Sequence, residues 1–401
     1  MKKNIAFALL VIFCFENINA QSYKKIHRQA IVCDTHNDII STCIEKSYSF
    51  DEDLAGKTHS DLTRMQKAGV DLQIFSIWCD GDQKNPYQFA NREIDTLFAW
   101  ANRNPERMKI IYNPAEIPAA IKHKQLICLS GVEGGHMIED DINKLDSLYK
   151  RGVRYMTLTW NNSTVWATSA KDESSFPNQN FITTTDGKTQ KKGLNDFGLK
   201  VVKHMNDLGM MLDLSHVGEQ TFYDAINASA KPILVSHSCV YSLCPVFRNL
   251  KDNQIKAVAK NGGVIQLNFF SGFLDSTFMK KRDDFNVKHK AEKDSLMKAG
   301  KADFFAEDFL YEKYKEEAEA MRAPYHLLFD HLDYIVKLVG VDYVGLGSDY
   351  DGISSPPQQM DDIMSFPFIT KALLQKGYSK GDITKILGSN FLRVYNANAK
   401  Q

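Results

Sequence analysis

Five segments of the 401-residue sequence end in residue types that bind metal ions or carry charge. Each segment is rich in β-branched and aliphatic residues, which is typical of a buried strand. The residues at their ends are three histidines and several carboxylates: His36 and Asp38, Glu133, His216, His237, and Asp349 with Asp351. A mixture of imidazole and carboxylate ligands suits zinc, with manganese or cobalt as alternatives. The sequence therefore predicts a metal centre, provided that the fold brings these strand ends together.

The spacing of these residues indicates how two metal ions would be shared. His36 and Asp38 lie two residues apart on a strand, so both side chains point to one side and can hold one ion. His216 and His237 would hold a second ion, and Glu133 could bridge both ions through its two oxygens. Two ions about 3.5 to 4 Å apart share a hydroxide and polarise a carbonyl, which is hydrolytic chemistry. A lone histidine at a strand end is more often structural, but this combination favours a site.

The strands that carry these residues belong to a longer alternating pattern. Strand-like runs are followed by polar stretches and segments of helical period, which indicates parallel strands joined by helical crossovers. Eight runs can be marked: Ala30 to Asp38, Val70 to Trp78, Leu126 to Glu133, Val153 to Trp160, Met210 to His216, Pro232 to Ser238, Gly263 to Phe269, and Tyr343 to Asp349. Eight such units predict an α/β fold, a (β/α)8 TIM barrel, in which the carboxyl ends of the strands meet at one mouth.

Helical segments separate these runs, and glycines that suit helix ends precede several strands. The predicted helices are Ser60 to Lys67 with Ser60 as the N-cap, Asn91 to Asn104, Ile142 to Arg151, Asn195 to Leu208, Gln220 to Ala228, Asp252 to Asn261, and Tyr325 to Val339. Asp275 to Arg322 breaks the pattern after the seventh strand, and its composition predicts a helical insertion. That insertion is either a solvated hairpin or a flap or dimer contact beside the mouth. Asn178 to Lys192 is predicted to be a long polar loop.

The composition limits the classes of partner. Lys plus Arg and Asp plus Glu both number 49, so no overall charge draws the chain to nucleic acid or to an anionic membrane. Lys2 and Lys3 precede an apolar run that is too short to span a bilayer, and Ala20 ends a small-residue cleavage site. We therefore expect a signal peptide over residues 1–20 and a single domain over 21–401, with the insertion at about 275–322. The mature protein would be secreted or periplasmic, without a stable membrane anchor.

Six motifs along the chain carry a resemblance to a known family. They are Cys33-Asp34-Thr35-His36-Asn37-Asp38, Gly131-Val132-Glu133-Gly134-Gly135-His136, Leu212-Asp213-Leu214-Ser215-His216, Ser236-His237-Ser238, Arg248-Asn249, and Gly345-Leu346-Gly347-Ser348-Asp349-Tyr350-Asp351-Gly352. In this order, from about residue 28 to 396, the chain closely resembles the membrane (renal) dipeptidase family. The resemblance implies an amidohydrolase-like barrel that hydrolyses dipeptides with two zinc ions and accepts D-residues on the C-terminal side. Some members of the family also open β-lactams.

The resemblance also implies roles for individual residues. Carried over by position, it gives the metal ligands as His36 and Asp38 for one zinc ion, His216 and His237 for the other, and Glu133 as the bridge. Asp349 would pass a proton from the attacking water to the leaving amine, and a carboxylate in that position is a sensible base. Arg248 would bind the terminal carboxylate of the substrate, which matches the fork of a guanidinium group. The alternative for Arg248 is an ordinary surface residue.

Several neighbouring residues are expected to support the site rather than to bind metal. Asp351 is expected to be a turn residue that orients the loop of Asp349. Asp34 and Asp213 are candidate partners for the N–H groups of the ligand imidazoles. His136 is expected to be a structural loop histidine. The other histidines lie in helical or polar segments and are expected to be ordinary: His27, His59, His123, His204, His289, His326 and His331.

The sequence departs from the family in three places. Trp160 stands where the mammalian enzymes carry a histidine that contacts substrate, which puts substrate preference in doubt. The cysteines that pair with the equivalents of Cys79 and Cys244 are missing, so two family disulfides should be absent. The insertion after the seventh strand is longer than expected of mammalian relatives. None of these departures removes a predicted metal ligand.

The function predicted from the sequence is a zinc dipeptidase that acts on small dipeptides. The first alternative is another binuclear amidohydrolase, such as an N-acyl-amino-acid deacylase or a lactonase. The second is a non-catalytic peptide-binding protein that retains the fold. The expected partners are dipeptide substrates, and a homodimer is an open alternative to a monomer.

Overall fold

In a computed structural model, which describes residues 23–184, 187–301 and 303–400, eight parallel strands pair in chain order. Their bounds are Cys33–Asn37, Leu72–Trp78, Leu126–Glu133, Val153–Thr157, Met211–Asp213, Leu234–Val235, Val264–Leu267 and Val344–Leu346. The first and eighth strands meet where the Asp38 N–H donates to the Tyr350 carbonyl (2.9 Å) and the Asp349 N–H to the His36 carbonyl (3.0 Å). The sheet therefore closes into a barrel at this seam, and the predicted (β/α)8 barrel is confirmed.

Every barrel strand lies within the run that predicts it, but most are shorter. The fifth strand ends at Asp213, three residues before His216, and the sixth ends at Val235, two residues before His237. The chain leaves the sheet at these points because it turns outward into the loops of the mouth. The predicted ligands on these strands thus stand just beyond the paired residues.

Three short strands lie outside the barrel order. Met108–Ile110 pairs in parallel with the third barrel strand. Phe181–Thr183 and Thr189–Lys191 form an antiparallel hairpin inside the segment predicted to be a loop. Both hairpin strands are only three residues long and mostly exposed, so they lack the apolar alternation that marks a strand.

Helices follow the strands in the expected alternation. The α-helices are Ile39–Lys46, Leu62–Ala68, Pro86–Arg103, Ile117–Lys122, Ile142–Lys150, Ala170–Ser175, Asp196–Leu208, Glu219–Ala228, Asp252–Asn261, Ser271–Leu274, Phe278–Lys288, Lys290–Lys298, Asp303–Lys313, Lys315–Met321, His326–Val339, Phe366–Gln375, Lys380–Thr384 and Asn390–Asn398. Short 3-10 turns cover Pro114–Glu116, Gly135–Ile138, Val341–Tyr343 and Ile363–Ser365, and a π-helical turn covers Lys385–Ser389. The predicted cap at Ser60 is wrong: Asp61 is the N-cap and accepts a hydrogen bond from the Arg64 N–H.

The faces of the third barrel strand show how the sequence builds the site. Ile127, Leu129, Gly131 and Glu133 alternate along it and therefore share one face. Ile127 and Leu129 belong to an apolar cluster that also contains Tyr155. The same face ends on Glu133 at the mouth, so the apolar side chains of this strand lie directly below the carboxylate.

The insertion after the seventh strand consists of four helices between Phe278 and Met321. It has an apolar cluster of its own, made by Phe278, Phe285, Leu310, Tyr311 and Met321. The two ends of the insertion meet, because the Ala323 N–H donates to Ser271 Oγ at 3.0 Å. The predicted helical insertion is confirmed, and it is larger than a hairpin. A role as flap or dimer contact stays a prediction.

The predicted signal peptide, residues 1–20, lies outside the described residues. Within the described ranges, no helix combines the length and the apolar character needed to cross a bilayer. All six cysteines of the described chain are buried and free: Cys33, Cys43, Cys79, Cys128, Cys239 and Cys244.

Candidate metal centre

Three histidine side chains and one carboxylate meet at the mouth of the barrel. Nε2 of His216 lies 2.8 Å from Oε1 of Glu133 and 2.9 Å from Nε2 of His237. His237 Nε2 is 3.5 Å from the same Oε1, whereas His36 Nε2 lies 3.2 Å from the other oxygen, Oε2. The two oxygens of Glu133 therefore face different imidazoles, which is the arrangement of a carboxylate able to bridge two ions.

Two further carboxylates stand on the His36 side of this group. Asp38 Oδ2 lies 3.4 Å from His36 Nε2, and Asp349 Oδ1 lies 3.8 Å from it. These three residues form one set whose ligand atoms all lie within 4.8 Å of one another, and His36, Glu133 and His237 form a second such set. All five residues predicted to bind metal, and Asp349 with them, are thus brought together.

The donor atoms fit a pair of divalent cations. His36 Nε2 is buried and, among the described residues, makes no well-aligned hydrogen bond, although the nearest carboxylate oxygen lies 3.2 Å away. A buried polar atom without a partner is costly, so its position among carboxylates indicates a ligand that the protein itself does not supply. Imidazole nitrogens with carboxylate oxygens form the donor set that zinc, manganese or cobalt accepts.

The protonation of the imidazole pair suits metal binding. Burial lowers the pKa of His216 to about 4, and the nearby Arg248 cation adds to that shift. Burial also holds the pKa of His237 well below its ordinary value, with His36 as the second cause. Burial alone would raise the pKa of Glu133, but the surrounding imidazoles outweigh it and lower that pKa. Neutral imidazoles and an ionised carboxylate are the forms that bind metal.

The pKa values of His36 and Asp349 shift the other way. Burial alone would lower the pKa of His36, but Tyr155, Glu133 and Asp38 outweigh it and raise that pKa well above its ordinary value. Burial raises the pKa of Asp349, and the negative charges of Asp38 and Glu133 add to the effect. Without a metal ion, protons therefore compensate the carboxylates on this side of the centre.

Each ligand imidazole is oriented through its other nitrogen, Nδ1. The partners are Tyr155 OH at 2.7 Å from His36, Ser236 Oγ at 2.8 Å from His237, and Asn161 Oδ1 at 3.3 Å from His216. Such contacts fix the ring and the tautomer that binds metal. A Cβ on Gly131 would lie 2.1 Å from the Tyr155 ring, so glycine is needed at that position for Tyr155 to reach His36.

Asp34 and Asp213 do not hydrogen-bond directly to a ligand imidazole, in contrast to the prediction. Asp34 accepts from the Ser348 N–H (2.8 Å) and the Ser348 hydroxyl (2.7 Å). Asp213 reaches an imidazole only through a hydroxyl group, that of Ser236. Both carboxylates precede the ligand histidine of their strand by two or three residues, so they lie deeper in the barrel than the imidazoles.

The turn after the eighth strand is fixed by hydrogen bonds from His59 and Ser60. Asp349 and Asp351 both have left-handed backbone angles, with φ of 62° and 67°. Asp351 accepts from the Ser60 hydroxyl at 2.5 Å and from the His59 N–H at 2.7 Å. A Cβ on Gly352 would lie 2.7 Å from Asp349 Oδ1, so any larger residue at this position would collide with the Asp349 side chain. Asp351 is therefore a turn residue, as expected, and His59 is its partner rather than an ordinary surface residue.

Arg248 is a buried cation beside the imidazoles, not a surface residue. Its Nη1 donates to Ser238 Oγ at 3.3 Å and its Nη2 to the His237 carbonyl at 3.2 Å, whereas its Nε has no partner among the described residues. The guanidinium group also lies 5.2 Å from the centroid of the Phe273 ring. Burial lowers its pKa to about 10, which Asp349 opposes. At neutral pH the group stays charged, yet its hydrogen bonds go only to neutral oxygens.

Trp160 lies beside the imidazole pair. Its ring centroid is 6.4 Å from that of His216 and 5.2 Å from that of Trp78, which it meets edge to face. Trp78 ends the second strand in register with Glu133, and its buried indole nitrogen has no partner among the described residues. The two indoles form an apolar wall next to the centre.

Sequence reasoning missed several residues that support the site. Tyr155 and Ser236 hold ligand imidazoles, and Asn268 Nδ2 donates to Asp349 Oδ2 at 2.7 Å. Asn268 is a polar residue near the C-terminal end of the predicted run Gly263 to Phe269, which is a signal that could have found it. Glu93 is fully buried on the helix Pro86–Arg103, and burial raises its pKa, with Asp38 as the second cause. His136 lies 3.5 Å from Cys79 Sγ and belongs to neither ligand set.

Comparison with known proteins agrees with the fold and identifies the family. Residues 20–401 match the membrane dipeptidase family, peptidase family M19. An uncharacterized dipeptidase of Schizosaccharomyces pombe is 28% identical over 396 residues, covering 94% of this chain and 82% of that protein. The probable dipeptidase PvdM of Pseudomonas aeruginosa superposes with a TM-score of 0.75 at 22% identity, over 95% of this chain and 98% of that one.

A second solved structure shares the fold and carries a ligand. It is a metallopeptidase of Rhodobacter sphaeroides bound to a phosphinate mimic of the dipeptide L-Ala-D-Ala, with a TM-score of 0.73 and 21% identity. The match covers 92% of this chain and all of that one. With a family match over nearly the whole sequence and the six side chains predicted as ligands and acid–base groups at one mouth, the chain belongs to the membrane dipeptidases of peptidase family M19, which are metal-dependent dipeptide hydrolases.

Proposed function

We propose that this dipeptidase uses two zinc ions to hydrolyse small dipeptides, including dipeptides with a C-terminal D-residue. The observation that carries the proposal is the position of Glu133, whose two oxygens face His36 on one side and the pair His216 and His237 on the other. His36 and Asp38 would hold one ion, and His216 and His237 the other. When bound, such ions polarise a carbonyl and lower the pKa of water.

The remaining site residues supply proton transfer and binding. Asp349 lies 3.8 Å from His36 Nε2 and is held by Asn268 through its other oxygen. One oxygen of Asp349 therefore stays free to accept a proton from the attacking water. The same oxygen would return that proton to the amine of the leaving residue, which completes the hydrolysis of the amide bond.

Arg248 supports a substrate with an anionic end. A buried cation whose hydrogen bonds go only to neutral oxygens is stabilised when an anion arrives, and a carboxylate matches the guanidinium fork. Arg248 would bind the C-terminal carboxylate of the dipeptide. An N-acyl-amino-acid deacylase would also use this contact, whereas a lactonase acting on uncharged substrates would not.

The wall formed by Trp78 and Trp160 supports a preference for small or apolar residues. An indole can donate one hydrogen bond but cannot accept a proton in turnover. Trp160 would therefore bound the pocket beside His216 rather than take part in proton transfer. The relative of Rhodobacter sphaeroides binds a mimic of L-Ala-D-Ala, which supports the inclusion of C-terminal D-residues.

A substrate panel tests the proposal. The zinc-loaded protein is assayed on L,L and L,D dipeptides, on tripeptides, on N-acetylated amino acids, on N-acetylated and C-amidated dipeptides, and on lactones. Zinc per chain is measured on the same sample. We expect about two zinc ions per chain and turnover only of dipeptides with a free amine and a free carboxylate. Turnover of N-acylated amino acids instead would favour the deacylase, and bound zinc without turnover would favour a peptide-binding protein.

We also propose that the protein is exported after removal of residues 1–20. The basic start, the apolar run and Ala20 support a cleaved signal. Fractionation of cells followed by N-terminal sequencing should find the mature chain starting at Gln21 outside the cytosol. A cytosolic chain that begins at Met1 would contradict this.

A further inference from the structure

We propose that Asp213 is a positioning residue that sets which nitrogen of His237 carries the proton, acting through the hydroxyl of Ser236. The inference rests on the proposed function in taking His237 as a metal ligand. It concerns a carboxylate that takes no part in the ligand set. Asp213, Ser236 and His237 are all buried within the barrel mouth.

The contacts of Asp213 fix the direction of each hydrogen bond around it. Its Oδ1 accepts the Ser236 N–H at 2.8 Å and the Ser215 N–H at 3.2 Å. Its Oδ2 accepts the Ser236 hydroxyl at 2.7 Å and the Thr157 hydroxyl at 2.5 Å. The Ser215 hydroxyl lies farther away, 3.3 Å from Oδ1. A carboxylate can only accept, so the hydroxyl hydrogens of Ser236 and Thr157 point at Asp213.

The direction at Ser236 determines the tautomer of the imidazole. Ser236 Oγ lies 2.7 Å from Asp213 Oδ2, 2.8 Å from His237 Nδ1 and 3.2 Å from Ser215 Oγ. The charged carboxylate is the strongest of these acceptors, so the single hydroxyl hydrogen goes to Asp213 and the oxygen accepts from His237 Nδ1. Nδ1 must then carry the hydrogen, and Nε2 keeps the lone pair that a metal ion needs. The hydroxyl thus transmits the charge of a buried carboxylate to an imidazole that the carboxylate does not touch.

Among the described residues, the other two ligand histidines lack this arrangement. The Tyr155 hydroxyl that faces His36 has the Thr35 carbonyl as its acceptor, at 3.4 Å. His216 faces the amide oxygen of Asn161 at 3.3 Å, and that side chain is only partly buried. This relay, from Asp213 through the Ser236 hydroxyl to the imidazole, therefore fixes the ring of His237 more firmly than that of His216.

Asp213→Asn provides the decisive variant because it reverses the relay with little change in shape. Two backbone N–H groups face the Oδ1 position, so the amide oxygen must stay there and the NH2 group must take the Oδ2 position. That NH2 group would donate to Ser236 Oγ and free the Ser236 hydroxyl hydrogen for His237 Nδ1, which at 2.8 Å is nearer than Ser215 Oγ at 3.2 Å. Nε2 would then carry the imidazole hydrogen and could not bind a metal ion.

The test removes zinc from the loaded full-length protein by competition with a chromophoric chelator. We expect Asp213→Asn to weaken one of the two zinc ions by about 10 to 100-fold and to leave the other near wild type. Ser236→Ala, which removes the relay without reversing it, should weaken the same ion less, and Ser236→Thr should recover most of that loss. Thr157→Val is the matched control, because it removes a hydrogen bond to the same Asp213 oxygen but keeps the relay.

A second measurement reads the relay without relying on zinc affinity. The ¹⁵N chemical shifts of the His237 ring in the protein as isolated should show hydrogen on Nδ1 in wild type and on Nε2 in Asp213→Asn. Unchanged tautomer and unchanged zinc affinity in both Asp213→Asn and Ser236→Ala would overturn the inference, as would an equal loss in Thr157→Val. Fewer than two zinc ions in wild type would instead contradict the proposed function, and the ring shifts would still decide the relay.

Discussion

The two sides of the metal centre differ in charge. The carboxylate side consists of His36, Asp38 and Asp349 at the seam between the first and eighth strands. The imidazole side consists of His216 and His237 at the ends of the fifth and sixth strands, and Glu133 lies between the two sides. On the carboxylate side the neighbours raise the pKa of His36, whereas burial and nearby positive charge lower the pKa values of both imidazoles on the other side.

This difference follows from the charged residues next to each side. Arg248 lies next to the imidazole side and donates to the His237 carbonyl, so a cation bound there faces a positive neighbour. On the carboxylate side a cation replaces protons and faces Asp38 and Asp349. We therefore expect the carboxylate side to hold its ion more firmly and the imidazole side to combine a weaker ion with the binding of an anionic substrate.

The largest effect should come from the residue that both sides share. Glu133→Ala should weaken both ions and lower kcat/KM by more than about 100-fold, beyond the loss typical of a residue that only orients a ligand. His216→Ala should lose mainly the ion of the imidazole side. Zinc per chain and kcat/KM, measured together, check both variants. Full zinc and full activity after both substitutions would refute the ligand assignment.

Arg248→Ala should affect substrate binding rather than the metal ligands. Removing a desolvated charge partner lowers the binding free energy by roughly 2 to 5 kcal/mol, and each 1.4 kcal/mol corresponds to an increase of about tenfold in KM. The rise in KM should be large for dipeptides and small for their C-amidated analogues, because only the former bring a carboxylate. The same variant should bind the zinc ion of the imidazole side more tightly. Equal losses on both kinds of substrate would remove Arg248 from the carboxylate pocket.

Trp160→His tests the wall on the imidazole side. The histidine would add a ring nitrogen that can accept and return a proton, which the indole cannot do, and kcat should rise by up to roughly 10²-fold, the lower end of the contribution of a general acid or base. A broader range of accepted side chains should accompany that change. Steady-state kinetics on the dipeptide panel measure both. Activity that appears only in the variant would indicate that the natural chain acts on other substrates.

The smallest effect concerns a histidine away from both sides. His331 is buried, accepts the Val240 N–H at Nδ1 (3.0 Å) and donates from Nε2 to the Leu274 carbonyl (3.1 Å). Burial lowers its pKa to about 4. The unfolded chain, with a histidine pKa of about 6.5, therefore takes up the proton first, and stability falls as the pH drops from about 6.5 toward 4.

Chemical denaturation at two pH values measures this effect. Between pH 7 and pH 5, His331 should account for a loss of about 2 kcal/mol in the free energy of unfolding. His331→Gln keeps an acceptor and a donor but does not titrate, so its loss over the same interval should be smaller by that amount. An identical pH dependence of the two proteins would show that His331 is not kept neutral by folding.

Much of the site could be predicted because it depends on local patterns. Ile127, Leu129 and Glu133 share one face of a strand because the side-chain period is two residues, and Glu133 is the last residue of that strand. Parallel topology then brings the other strand ends to the same place. The partners of the imidazoles could not be predicted in this way. Tyr155 reaches His36 across the gap left by Gly131, and such contacts depend on packing between strands that are distant in the sequence.

The insertion has a consequence for how the molecule opens. Its apolar cluster is separate from the barrel core, its Arg282 and Glu307 pair inside it, and its two ends are joined at Ser271 and Ala323. A segment that has its own small apolar core, and whose two ends are joined, can unfold locally at a lower free energy than the whole chain. Amide hydrogens between Phe278 and Met321 should therefore exchange with solvent sooner than those of the barrel strands. A protease that cuts within this segment should leave both the barrel and the metal-centre residues at its mouth intact.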